Sequence, residues 1–213
     1  MSKAEVAENT GAFTKRASER GYAAGSGWLS WHDDTMFVYA AASFITRSKP
    51  ASGTSFVWQI WAKPLQADEE LWRHLFPESD LGGERKKLTL RANGAFRTTG
   101  LPVSDGFFYS EPAALETQID GFLDEFAEVV NGWSAGNDRV ERYLAAIEAE
   151  LAEAPAQKLS RLGLMRTTAL LALGRDREAL EAASSDIEMG RDGSLYAGEK
   201  SVNQLIVEHL SGR

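Results

Sequence analysis

All six tryptophans and all ten phenylalanines of this chain lie at or before position 133, and the residues beyond it hold only two aromatic side chains, Tyr143 and Tyr196. Few features constrain a fold more. Aromatic and β-branched side chains fit the pleated, half-buried surface of a sheet. The Ala, Leu, Glu and Arg that dominate after position 133 are strong helix formers. The chain is therefore expected to fold as an aromatic-rich α+β domain over residues 1–133 and a helical segment of about four helices over 134–213, packed on or beside it. The join falls in Gly132-Trp-Ser-Ala-Gly-Asn137, which has turn residues and no periodicity.

The first helix is expected over Ser2–Gly21. Ser2 and Glu5 have capping-box spacing, Val6, Phe13 and Ala17 make a thin apolar stripe, and Gly21 suits a left-handed stop. Gly11 inside it costs about 1 kcal/mol relative to alanine, so packing must hold this helix. Three strands follow, at 28–31, 36–46 and 55–63. In the second, both alternating sets are apolar, as expected of a central strand covered on both faces or lining a concave surface. Pro64 ends the sheet, and residues 68–76 read as a short helix with acidic residues first and basic ones last, matching the helix dipole. Asn93-Gly94, between alternating segments in 88–98, predicts a type I′ hairpin turn. An amphipathic helix over 113–130, with Leu115, Ile119, Phe122 and Phe126 on one face, closes the domain. The resulting order is α-β-β-β-α-β-β-α, an antiparallel sheet of about five strands with helices packed on it and an extra short strand near 107–109. The tail divides into helices at about 138–152, 157–173, 175–189 and 199–210.

Within that tail, Leu173-Gly174, the polar turn Arg175-Asp176-Arg177 and Glu178-Ala179-Leu180 follow one another. Over about 168–183 this resembles the inside of a tetratricopeptide-repeat hairpin. The resemblance implies two antiparallel helices and nothing more. The family's Trp and Tyr early in the first helix are missing, and no second copy appears at a 34-residue period. A repeat array needs about three units for a continuous core, so the expectation is one hairpin.

Charge and composition exclude several function classes. A formal net charge of −8 argues against a dedicated nucleic-acid binder, because phosphate neutralisation needs a basic surface. The absence of cysteine removes disulfides, thiolate nucleophiles and sulfur-rich zinc sites. The first ten residues lack the roughly 7–15-residue apolar run of a secretory leader, and no apolar run nears the roughly 20 residues that cross a bilayer. The expectation is a cytoplasmic protein with no membrane association.

No stretch demands a metal, a cofactor or a particular reaction. The glycines at 21, 25 and 27 follow a helix and precede a strand, the reverse of the order that aims amides at a phosphate. His32-Asp33-Asp34 puts an imidazole and two carboxylates in one turn. A hydrolase could use them, yet adjacent turn residues diverge and Asp is ordinary turn chemistry. The other histidines, His74 and His209, share no paired spacing.

Two Trp-x-x-Trp segments, Trp28–Trp31 and Trp58–Trp61, each place one indole on either side of the sheet, since positions i and i+3 on a strand point oppositely. Where helices cover only one side, the other presents aromatic surface. Arg91 and Arg97 add a basic strip on the 88–98 hairpin, suited either to an acidic partner or to protection of a sheet edge. The reading that follows is a non-enzymatic binding or regulatory protein engaging a protein or peptide through a Trp-lined sheet face, with Trp31, Trp58, Trp61, Arg91 and Arg97 as the binding residues. The alternatives are a hydrolase using His32, Asp33 and Asp34, and a small-molecule sensor with an apolar cavity between the sheet and helix 113–130.

Overall fold

The first stop signal in the sequence is obeyed. Helix α1 (Lys3–Glu19) ends where Gly21 takes a φ of 86°. There the Gly21 N–H donates to the Ser18 carbonyl at 3.0 Å and the Tyr22 N–H to the Ala17 carbonyl at 3.1 Å, the paired bonds of a Schellman ending. This computed structural model describes residues 3–46, 54–75, 99–110, 115–193 and 195–212. The predicted hairpin at 88–98 and its Arg91 and Arg97 lie outside them, as does Ser2 of the expected capping box.

After α1 come the strands β1 (Ala23–Gly25), β2 (Trp28–His32), β3 (Met36–Thr46) and β4 (Thr54–Pro64), then helix α2 (Leu65–Leu75), strand β5 (Leu101–Ser110) and helix α3 (Leu115–Ser134). The five strands form one antiparallel sheet in the order β1-β2-β3-β4-β5, so neighbours in space are neighbours in sequence. The α+β class and the five-stranded sheet are as the sequence predicts. Two of its strands differ from expectation. β1 falls in the glycine-rich stretch between the first helix and the first expected strand, and β5 is longer than the short strand near 107–109. Ala23-Ala-Gly25 carries no β-forming residue. It pairs because Gly21 turns the chain back and the Gly25–Trp28 register closes on it.

Packing divides the chain into two compact units, Met1–Ala62 with Pro102–Ala135, and Lys63–Leu101 with Gly136–Arg213. Within the second unit, helix α2 packs on two of the helices after 136.

In the first unit, α1 and α3 lie on one face of the sheet. Phe13 and Ala17 of α1, Leu29 of β2, Met36, Val38 and Ala40 of β3, Phe56, Trp58 and Ile60 of β4, and Ile119, Phe122 and Phe126 of α3 form the core. Phe122 sits among Phe13, Phe56 and Trp58 with ring centroids 5.9, 5.5 and 5.5 Å away. Two arginines clasp the helices. Arg16 reaches Asp120 at 2.5 Å and Glu116 at 2.8 Å, and Arg20 reaches Asp124 at 2.5 Å. The three acids are spaced by four, so they share one side of α3. Being largely exposed, these pairs fix orientation more than they stabilise.

The second unit is built on α2 and on helices α4 (Arg139–Glu153), α5 (Ala156–Ala172), α6 (Asp176–Glu188) and α7 (Val202–Ser211), with a two-residue hairpin of β6 (Tyr196–Ala197) and β7 (Lys200–Ser201) before α7. These are the four tail helices predicted. α4 buries Val140, Tyr143, Leu144 and Ile147 on one face, whereas α5 is buried from Leu162 to Leu171 apart from half-buried Arg166, as befits a central helix. α5 ends at Gly174, φ 68°, with Gly174 N–H to Leu171 and Arg175 N–H to Leu170, both at 2.9 Å. The left-handed residue costs glycine little and other residues about 1 kcal/mol or more, which is why the chain reverses here. α6 packs close, for a Cβ at Gly163 of α5 would meet the Asp186 carboxylate of α6 at 2.0 Å.

A buried charge cluster ties the start of this unit together. Lys63 Nζ lies 2.5 Å from Asp68 Oδ2, and both side chains are fully buried. The Thr99 hydroxyl donates to Asp68 Oδ1. Tyr143 donates to the Thr99 carbonyl, and Arg161 to the Gly100 carbonyl at 2.7 Å. Asp68 thus does more than compensate a helix dipole: it anchors the last residues of β4, the first turn of α2 and the turn at 99–100.

Candidate binding face

Strand alternation assigns each tryptophan to a face. Trp31 pairs with Val38 in the β2–β3 ladder and packs against the helix-side core, half-buried. Trp58 is 5% exposed within that core. Its indole N–H has no acceptor among the described residues, so it acts there as a large apolar ring. Space for it comes from β5, because a Cβ at Gly106 would lie 2.0 Å from its Cζ2, and Phe108 packs beside it with centroids 5.0 Å apart and planes tilted by 37°. Trp61 lies on the other face, half-buried and stacked on Tyr39 with centroids 4.9 Å apart and planes 11° from parallel. Of the three tryptophans proposed from sequence as binding residues, Trp61 alone faces away from α1 and α3.

Neighbouring residues follow the same logic. Tyr39 pairs with Ser30 and Phe37 with His32, and Phe37 packs tilted against Tyr39 at 5.4 Å, extending the ring row along β3. Phe37 and Tyr39 are buried. Phe44 stacks on core residue Phe56, so Ile45 points to the face of Trp61. Gly106 and Phe108 meet Trp58, so Phe107 points there too, as does Val57 between Phe56 and Trp58. Ile45 is 47% exposed and Phe107 52%. The strands that bear them flank β4, so this face presents branched and aromatic side chains on three adjacent strands.

The rival sites differ in build. Asp33 is committed to its own turn: its Oδ1 accepts from the Thr35 N–H at 2.7 Å, the Thr35 hydroxyl at 2.9 Å and the Met36 N–H at 2.7 Å. His32 stacks on Phe37 at 6.5 Å. The interface between the sheet and α3, where a sensor would hold its ligand, is occupied by the rings of Phe13, Phe56, Trp58 and Phe122. An open groove of about 670 Å³ runs between α1 and the turn after β1, lined by small and hydroxyl residues such as Gly11, Thr14 and Ser26. The Thr14 hydroxyl lies 3.0 Å from the Gly25 carbonyl and 2.9 Å from the Thr10 carbonyl, and its single proton can go to either. Lys15, which lines the groove, pairs with Glu19 at 3.8 Å.

Among the described residues no group of three or more His, Asp or Glu converges as a metal site, and no helix is long and apolar enough to cross a membrane. Compared with known protein families, with characterised proteins and with solved structures, the chain matches none.

Proposed function

We propose that this chain is a non-enzymatic binding or regulatory protein that engages a protein or peptide through the sheet face carrying Trp61. One observation carries the reading: Ile45 and Phe107, 47% and 52% exposed, flank the β4 strand that bears Val57 and Trp61. Exposed apolar groups gathered on one side of a sheet, rather than scattered singly, mark interaction sites. The stacked Tyr39–Trp61 pair gives that face a rigid aromatic element, the kind of side chain that dominates interface energetics. On the same footing, residues 168–183 are read as a single tetratricopeptide-like hairpin, supported by the Gly174 turn.

The test is selection of displayed peptides on the purified protein, followed by calorimetry on the peptides recovered. A Phe107→Ser or Ile45→Ser variant should lose about 1–2 kcal/mol of binding, roughly five- to thirtyfold. Tyr196→Ala, which removes an exposed aromatic of the other unit, should bind as wild type. Peptides that bind all three variants alike, or a selection that yields none, would refute the assignment.

A further inference from the structure

Strand β1 stands at one end of the five-stranded sheet and pairs on one side, with β2. The register decides which of its backbone groups face outward. The Ala42 N–H donates to the Gly27 carbonyl at 2.9 Å, next to the Trp28–Ala41 pair. In an antiparallel ladder that bond makes Trp28–Ala41 a non-hydrogen-bonded pair, so Trp28 turns its N–H and C=O toward Gly25 instead. By alternation Ala24, the next residue along β1, points its N–H and C=O away from β2 and past the edge of the sheet. Among the described residues neither group has a hydrogen-bond partner.

An open strand edge accepts another strand. The outward groups of Ala24 offer two hydrogen bonds, each worth about tenfold in affinity or less. Two such bonds do not offset the immobilisation of a lone extended peptide. A second copy of the chain brings more. An N–H and a C=O on one residue are self-complementary, so two antiparallel β1 strands centred on Ala24 exchange both bonds about a two-fold axis. Gly25 then stands opposite the exposed Ala23 of the second copy, on the face where the Trp28 ring lies against Gly25; a Cβ there would meet the indole Nε1 at 2.5 Å. Charge complements this pairing. Thr14 lies 3.0 Å from the Gly25 carbonyl, so an axis at Ala24 passes α1 within the following turn, between Lys15 and Glu19. Both are exposed, and the two-fold sets Lys15 of each copy near Glu19 of the other.

We propose that the chain forms a two-fold dimer through the β1 edge, joining two five-stranded sheets into one and setting each α1 beside its counterpart. This edge lies at the opposite end of the sheet from β5 and Phe107, and the dimer does not depend on the binding face proposed above.

Sedimentation velocity of the full chain over a wide concentration range tests this. Wild type is expected to pass reversibly from monomer to dimer as concentration rises. Ala24→Pro removes the outward N–H and no bond to β2, the one setting in which a strand accepts proline, and should weaken the dimer by about tenfold or more. Lys15→Glu should weaken it by about threefold or more, and adding Glu19→Lys should restore it. Phe107→Ser should leave it unchanged. A monomer at every concentration overturns the proposal, whether or not a peptide binds the edge. So does a dimer lost in Phe107→Ser, or one as tight in Ala24→Pro as in wild type. Should Ala24→Pro fail to fold, a dimer as tight in Lys15→Glu as in wild type overturns it equally.

Discussion

Removing one member of the Lys63–Asp68 pair should damage the second unit far more than replacing both. The ammonium and carboxylate are 2.5 Å apart and wholly shielded from water. At an effective dielectric of about 20 their attraction is on the order of 6–7 kcal/mol, and the desolvation of each ion, several kcal/mol apiece, offsets most or all of it. The pair is therefore near neutral as a whole, whereas either charge left alone is not. Lys63→Met should cost about 3–5 kcal/mol, and Asp68→Leu a similar amount, because each strands a buried charge. The double variant restores that loss but leaves the Thr99 hydroxyl without its carboxylate acceptor, for a residual of about 1–3 kcal/mol. Adding Thr99→Val should recover most of the remainder. Urea unfolding followed by far-ultraviolet circular dichroism reads these differences: with a slope of about 2 kcal/mol per molar, the single variants should shift the midpoint down by roughly 1.5–2.5 M. Single variants each within about 1 kcal/mol of wild type and additive in the double would refute the reasoning, since a coupled buried pair cannot behave so.

Two further outcomes follow from the packing. Gly106→Ala drives a Cβ into the Trp58 ring and should cost about 1–3 kcal/mol, lowering the melting temperature by several degrees, yet less than about 1 kcal/mol when Trp58→Phe has already shrunk the ring. Equal cost in both backgrounds would mean that the two residues do not touch. Burial against α5 raises the Asp186 carboxyl above its ordinary value, more than Arg191 and Arg166 lower it. Its contribution is therefore fully present below about pH 4 and is lost as pH rises through the raised folded value. Asp186→Asn, which does not titrate, should gain stability relative to wild type across that interval. Urea midpoints at acid and neutral pH check this, and a constant difference between the two proteins would count against it.

Much of the fold was legible because its signals are local. Gly21 and Gly174 stop their helices because a left-handed residue is a property of one position. The four tail helices and α3 follow from apolar periods of 3.6, and the two sides of β3 and β4 from a period of 2. That Trp28–Trp31 and Trp58–Trp61 each straddle the sheet also follows from spacing. β1 was not legible, because Ala-Ala-Gly has no strand preference and pairs only once β2 lies beside it.

What only the tertiary structure decided is which side of the sheet the helices cover. That choice turns Trp58 into core and leaves Trp61 facing away from them, although the two sit in one motif. It likewise decides that Asp68, which in sequence looks like an ordinary acid at a helix start, is buried against Lys63, and that His74 meets His209. The aromatic boundary at 133 marks where one kind of secondary structure gives way to another. Which helices pack on one another is a separate matter, and α2 lies against two of the helices after 136. Secondary structure is set over one turn or one strand, whereas burial depends on residues that the chain itself keeps far apart.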